Sequence, residues 1–344
     1  MVNLNAIPGL LLPWYRKNRR NLPWRADREP YHIWLSEIML QQTRVEAVKG
    51  YYRRFLEKLP TVEALANCDD ESLNKLWEGL GYYSRVRNLK KAAQEIMSTY
   101  HGQFPTDYAS IRSLPGIGDY TAGAISSIAF GAPAPAVDGN VLRVLARLRS
   151  DGECVDLPAH KRRIRGELKE IYPTGEDAGA FTQALMELGA TVCLPNGAPK
   201  CESCPLKDLC GKNWADYPVR QVKRPRRLEE KTVFILRCGD SYALCRRPDS
   251  GLLAGLWQFP DVPGCLEPEH ALAHLESLGL RPVDIRAMVQ RNHIFTHIQW
   301  DMRGYYITVA EPVGGFVWMT GAQIRTQAAL PTAYRQFWEE NHHV

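Results

Sequence analysis

The chain is predicted to be multi-domain: a mostly α-helical part over residues 1–218, a basic linker over 219–230 and a smaller α+β part over 231–344. Three observations carry this. Apolar residues recur at helical spacing up to about residue 215. A stretch with Arg220, Lys223, Arg224, Pro225, Arg226 and Arg227 and few apolar groups follows, which is linker composition. Beyond it the pattern shifts to runs rich in Val, Ile, Tyr, Phe and Trp, which read as strands. A chain of 344 residues is long enough for two or three domains with real cores.

In the helical part, Tyr31–Leu59 places Ile33, Trp34, Ile38, Val45, Val48, Tyr52 and Phe55 on one periodic face. Residues 61–66, 73–77, 88–100, 162–172 and 180–193 repeat that style. In the C-terminal part, strands are expected at 231–237, 242–246, 298–309 and 315–319, and a helix at 269–278. The linker reads equally as a solvated tether or as a strap along a phosphate backbone. The formal net charge of +5 permits a polyanionic partner without requiring one. No run reaches the ~18 apolar residues of a membrane span. The apolar patch at the N-terminus precedes its basic residues, the reverse of a secretory signal. A cytoplasmic protein with reduced thiols and no membrane partner is therefore expected.

Four of the nine cysteines, Cys193, Cys201, Cys204 and Cys210, fall within eighteen residues, separated by seven, two and five residues. The other five are scattered. Four thiolates this close can share one metal centre, an iron–sulfur cluster or a zinc. Paired zinc knuckles show two short Cys-x-x-Cys units, and only one is present, which favours iron–sulfur.

Leu114–Ile125 reads LPGIGDYTAGAI. Gly116 and Gly118 form a tight turn before a helix opening near Asp119 or Tyr120, where exposed backbone N–H groups can hold a phosphate. An ordinary turn between helices has the same glycines. What raises this one is the whole string, followed by Val137-Asp138-Gly139-Asn140.

With these strings in order, residues 10–215 resemble the helix-hairpin-helix base-excision DNA glycosylases. LPWR (22–25), SEIMLQQT (36–43), GLGYYSR (79–85) and VDGNVLRVLAR (137–147) resemble the MutY-type adenine glycosylases within that superfamily. One departure is visible: the family more often has six residues between its first two cluster cysteines, and here there are seven. The resemblance implies a [4Fe–4S] cluster on Cys193, Cys201, Cys204 and Cys210. It implies that Glu37 is the acid that protonates adenine and that Asp138 stabilises the sugar cation. The two bland alternatives are a solvated helix face for Glu37 and a simple N-cap for Asp138. Bifunctional relatives carry a lysine where this chain has Tyr120, so a monofunctional enzyme with weak or no lyase activity is expected. Gln42 and Tyr82 resemble duplex-inserting residues; Tyr82 also reads as an ordinary buried aromatic. Trp24, Arg25 and Gln183 resemble an adenine-pocket lining, with Arg25 equally readable as a surface ion pair. Gly116, Gly118 and Asn140 complete the expected DNA contacts. The cluster loop is expected to hold Lys200, Lys207 and Lys212 against phosphate, or to be purely structural.

Residues 231–344 resemble the MutT-like (Nudix-fold) domain of that family, most clearly in RRPDSGLLAGLWQFP (246–260), but without the Nudix catalytic box. Phe295-Thr296-His297 aligns with a Phe-Ser-His loop that inspects 8-oxoguanine; threonine keeps the hydroxyl. His297 reads alternatively as a surface residue. The expectation is therefore a monomeric adenine glycosylase of base-excision repair. It would act on double-stranded DNA with adenine opposite 8-oxoguanine, and also opposite guanine. A pyrimidine-lesion glycosylase of the endonuclease III type and a non-catalytic DNA-binding protein are the competing readings.

Overall fold

The computed structural model describes residues 2–340 except Lys212 and Lys223. By its contacts the chain divides into two compact units, Met1–Asn67 with Arg87–Val222, and Cys68–Val86 with Lys223–Val344. Residues 68–86 thus group with the C-terminal unit although they lie inside the helical half of the sequence. No helix among the described residues is long and apolar enough to cross a membrane.

Among the described residues eleven α-helices precede the first strand: α1 (Ile7–Asn18), α2 (Pro30–Leu40), α3 (Val45–Lys58), α4 (Val62–Asn67), α5 (Asp70–Trp77), α6 (Ser84–Thr99), α7 (Tyr108–Ser113), α8 (Asp119–Ile128), α9 (Gly139–Arg149), α10 (Pro158–Lys169) and α11 (Glu176–Thr191). The continuous periodic run expected over Tyr31–Leu59 is two helices. Proline at the first position starts α2. The chain then breaks at 41–44, where Gln42 takes φ +57°, so the two apolar faces belong to different helices. From Tyr31 to Met39, only His32 in α2 escapes burial. One core joins α1, α9, α10 and α11 through Leu11, Tyr15, Leu145, Ile164, Phe181 and Leu188.

Between α7 and α8, Gly116 has φ +77°, and a Cβ there would stand 2.7 Å from Asn88 Cβ. Glycine at 116 is therefore required from within the fold, by a left-handed backbone set against a neighbouring helix. Gly118 differs. It has φ −93° as the N-cap of α8 and open space where a Cβ would be.

In the second unit, β1 (Arg227–Cys238), β2 (Ser241–Arg246), β3 (Trp257–Gln258), β4 (Asp261–Pro263), β5 (Pro282–Ile294), β6 (Ile298–Val309) and β7 (Val317–Thr320) form one mixed sheet. Its main order is β3-β2-β1-β6-β5. β1 and β6 are parallel, from Arg227↔Ile298 to Arg237↔Thr308, and the other pairs are antiparallel. Helix α12 (Pro268–Ser277) covers Phe234, Leu236, Tyr305 and Ile307 on one face. Helices α13 (Gly321–Thr326) and α14 (Thr332–Glu340) cover Val233, Ile235, Trp300 and Met302 on the other. The expected linker ends early: residues 227–230 are already strand. Lys223, counted in its basic run, and Lys212 of the cysteine loop lie outside the described residues. Strand β5 escaped sequence reading because one of its faces is exposed and polar residues interrupt its alternation.

The hairpin geometry sets an expectation. Gly116→Ala combines a positive φ with a backbone-proximal clash, and should destabilise the protein by about 2–3 kcal/mol. Gly118→Ala should cost well under half of that. Urea unfolding of the two variants beside the parent measures the difference.

Candidate active site

A cleft of about 830 Å³ opens in the first unit. Every site residue expected there from sequence lines it: Trp24 and Arg25 before α2, Glu37 on α2, Gln42 in the break after it, Gly116, Gly118 and Tyr120 at the hairpin, Asp138 and Asn140 at the start of α9, and Gln183 on α11.

Glu37 is 6% exposed, so the solvated-face reading fails. The Tyr120 hydroxyl donates to Glu37 Oε2 at 2.5 Å. Burial pushes the Glu37 carboxyl up to about 7; the Tyr120 hydrogen bond opposes this, and the Asp138 charge adds to it. Asp138 does cap α9, accepting Val141 N–H at 2.7 Å, and the Asn140 carboxamide donates to its other oxygen at 2.7 Å. Burial raises its pKa, while these two donors and Arg143 pull it back. One carboxyl is thus favoured protonated and the other is supplied with donors for its anion.

The cleft wall holds residues that sequence reading missed. Glu187 on α11 is fully buried, and Arg20 binds it through Nε at 2.7 Å and Nη2 at 2.9 Å. Arg25 Nη2 donates to Glu187 at 2.8 Å, so Arg25 is a buried ion-pair member at the cleft, not a surface one. Burial raises the Glu187 pKa, but the two arginines outweigh it and hold the carboxyl at about 2. A lone acid inside the apolar run FTQALMELGA was the available signal. Arg143 was missed likewise. It is 5% exposed and donates to Asn140 Oδ1 at 2.8 Å, Gly189 O at 2.8 Å and Cys193 O at 2.9 Å. A continuous run of hydrogen bonds therefore joins the Asp138 carboxylate, through Asn140 and Arg143, to the backbone of the first loop cysteine.

Single 3₁₀ turns at Cys201–Ser203 and Lys207–Leu209 bend the cysteine loop, and all four thiols are free of disulfides. Burial pushes the Cys204 thiol up to about 11, with Cys193, Cys210 and Cys201 adding to the rise. Thiols that destabilise one another's anions in this way are a donor set for a cationic metal centre, which removes the penalty. The seven-residue spacing is accommodated: Lys200 N–H bonds Val192 O at 2.9 Å and closes the loop. Lys200 and Lys207 are exposed.

In the second unit, Tyr82 is 45% exposed with φ +47°, not a buried aromatic. Its hydroxyl lies 3.1 Å from Thr296 Oγ1, at the tip between β5 and β6. His297 is exposed beside it. Phe295 is anchored inward, 4.8 Å from the Trp300 ring centroid. Arg226 Nε donates to Phe295 O at 3.1 Å, so this basic residue braces the tip.

Residues 35–173 match the model of the HhH-GPD superfamily of base excision DNA repair proteins, and residues 232–340 match a NUDIX domain. The adenine DNA glycosylase of Homo sapiens is 34% identical over 98% of this chain and 74% of its own length. That of Buchnera aphidicola (subsp. Acyrthosiphon pisum) is 33% identical over 84% and 82%. Among solved structures, a thermostable thymine-DNA glycosylase superposes with TM-score 0.55 at 31% identity, over 60% of this chain and 94% of that one. A non-covalent endonuclease III–DNA complex gives 0.52 at 27%, over 62% and 97%. With a helix-hairpin-helix repair domain, a C-terminal NUDIX domain and this near full-length similarity, the chain belongs to the adenine DNA glycosylases of base excision repair.

Proposed function

We propose that the chain removes adenine paired with 8-oxoguanine, and with guanine, as a monofunctional monomer that leaves an abasic site in double-stranded DNA. The observation that carries this is the buried Glu37 carboxyl, raised to about 7 and held by Tyr120, in the same cleft as an anion-supported Asp138. Glycosidic cleavage leaves positive charge on the sugar and negative charge on the base. With Tyr120 donating to Oε2, the Glu37 proton resides on Oε1, from where it passes to N7 of the flipped adenine. Asp138 stabilises the oxocarbenium-like sugar by charge or by covalent capture. A positioned acid contributes ~10²–10⁴ in rate. An opposite charge at ~4 Å and an effective dielectric of ~20 is worth ~4 kcal/mol, or roughly 10³. Neither dominates. Tyr120 supplies no amine for a Schiff base, so water completes the reaction.

Trp24, Arg25 and Gln183 line the adenine side of the cleft, and Arg25 is fixed there by Glu187. Gln42, carried exposed on a left-handed backbone, fills the duplex beside the flipped nucleotide, and Tyr82 with Thr296 and His297 meets the opposite base. The amides at the start of α8 receive phosphate beside Gly118. Cys193, Cys201, Cys204 and Cys210 would hold a [4Fe–4S] cluster, which supplies rigidity to the loop bearing Lys200 and Lys207. The reading places the enzyme in the cytoplasm, on the nucleoid in a bacterium.

Five outcomes test this. Duplex with adenine opposite 8-oxoguanine should yield free adenine, with strand breaks only after alkali. Glu37→Gln and Asp138→Asn should each lower single-turnover excision by 10³-fold or more; breaks without alkali would overturn the monofunctional assignment. Because Glu37 acts protonated, the rate should fall as pH rises through about 7, and Tyr120→Phe, which removes a donor to the carboxylate, should move that limb to higher pH. The same titration enters stability. A carboxyl near 7 when folded and 4.5 when unfolded stabilises fully below pH 4.5 and loses this as pH rises through 7. Glu37→Gln should therefore be up to about 3 kcal/mol more stable than the parent at pH 8 by urea unfolding, converging toward it in acid. Anaerobically prepared protein should contain iron and acid-labile sulfide in equal amounts, lost in Cys204→Ser; zinc in their place would refute the cluster.

A further inference from the structure

Residues 68–86 group with the C-terminal unit; an exposed ion pair, Arg246 Nη2 to Glu71 Oε1 at 2.9 Å, joins them to it at the start of α5, and two half-buried side chains do so at its end. Lys75 Nζ donates to Ala328 O at 3.0 Å and Ile324 O at 3.4 Å. These are carbonyls in the last turn of α13 and just beyond it; Ile324 O also accepts Ala328 N–H at 3.3 Å. Glu78 Oε2 pairs with Lys75 Nζ at 2.7 Å, and its other oxygen accepts Leu330 N–H at 2.8 Å. The two side chains are only 22% and 15% exposed, so this is not a solvated surface pair. The segment they grip is core: Ala328, Ala329 and Leu330 are at most 2% exposed. Ala328 and Leu330 share a cluster with Trp300, against which Phe295 packs beside Thr296.

Four residues after Glu78 stands Tyr82. The turn between them is braced from within. Gly79, Gly81 and Tyr82 all have positive φ. Trp77 Nε1 donates to Gly81 O at 3.1 Å, Arg85 Nη2 donates to Leu80 O and Gly81 O at 3.1 Å each, and Arg85 N–H bonds Tyr82 O at 2.9 Å. The turn therefore moves with α5 as one body. The contact of an exposed Tyr82 hydroxyl with an exposed Thr296 is a single solvent-competed hydrogen bond, too weak to hold that body in place. The Arg246–Glu71 pair is solvent-screened, with side chains 47% and 53% exposed, which leaves the half-buried Lys75 and Glu78 at the root of the turn as the shielded link.

We propose that Lys75 and Glu78 are positioning residues for recognition of the opposite base: they lock the Tyr82 turn to the Ile324–Leu330 segment and so fix Tyr82 against Thr296. The proposal rests on the 8-oxoguanine reading above. Its consequence is selective. Chemistry at adenine belongs to the other unit, so loss of the lock should reduce discrimination between opposite bases and leave excision itself intact.

The test compares single-turnover excision of adenine opposite 8-oxoguanine and opposite guanine for the parent, Lys75→Met, Glu78→Ala, Lys75→Arg and Glu78→Gln, with thermal unfolding of each. The 8-oxoguanine-to-guanine rate ratio should fall about tenfold in Lys75→Met and Glu78→Ala, through the 8-oxoguanine rate, while the guanine rate stays within about twofold. Lys75→Arg and Glu78→Gln, which keep the donor and the Leu330 acceptor, should retain most of the ratio and keep the test open if a truncation does not fold. Adding Thr296→Ala to Lys75→Met should lower the ratio no further, because both act through one contact. An unchanged ratio in folded variants, or equal losses on both substrates, overturns the proposal. A parent ratio near one overturns instead the 8-oxoguanine reading.

Discussion

The first unit depends on one buried guanidinium. Arg143 projects from α9 into a space where Asn140, the end of α11 at Gly189 and the backbone of Cys193 all present acceptors to it. Burying a charge without such partners would cost several kcal/mol. With them, the same charge ties the helix that Asp138 caps to the helix carrying Gln183 and Glu187, and both to the cysteine loop. Glu187 repeats the device with opposite sign, drawing Arg20 and Arg25 to the cleft wall. The helices that wall the cleft are thus tied by these two buried ions as well as by the apolar core behind them.

The same physics separates the two carboxyls. Both are desolvated, and desolvation alone raises both. Glu37 sits on a helix buried nearly all round, with one phenol as donor and a neighbouring negative charge, and comes to rest near neutrality. Asp138 sits at a helix N-terminus, where a backbone N–H, a carboxamide and an arginine oppose the rise. Placement on the helix interior and at the helix end thus gives the two carboxyls different support for their anions.

The second unit shows a different economy of parts. Its sheet and helices make a NUDIX-like body, yet the exposed tip between β5 and β6 is completed by a turn from far earlier in the chain. Left-handed backbone at Gly79, Gly81 and Tyr82 lets that turn present an aromatic ring to solvent while its carbonyls are satisfied from inside. Arg226, read from sequence as tether or strap, serves the same tip from the other side.

The ten residues that line one cleft came from the family resemblance; periodicity and local strings in the sequence by themselves determined the two-part architecture, the α8 and α9 starts and strand β6. Each of these is a local matter of side-chain period, glycine at a turn, or an Asx residue before a helix. Local reading failed where a partner lies far along the chain. The split of Tyr31–Leu59 is invisible because both halves keep helical spacing. Strand β5 was lost because Arg291 and His293 stand on its half-buried face while Val283, Met288 and Ile294 stand exposed, which blurs the alternation. Glu187, Arg143, Lys75 and Glu78 went unread because folding brings their acceptors or counter-ions from 46 to 253 residues away. Only the tertiary structure decided which charges are buried, and therefore which way each carboxyl's pKa moves and what opposes the move, because desolvation and pairing are properties of a place and not of a residue.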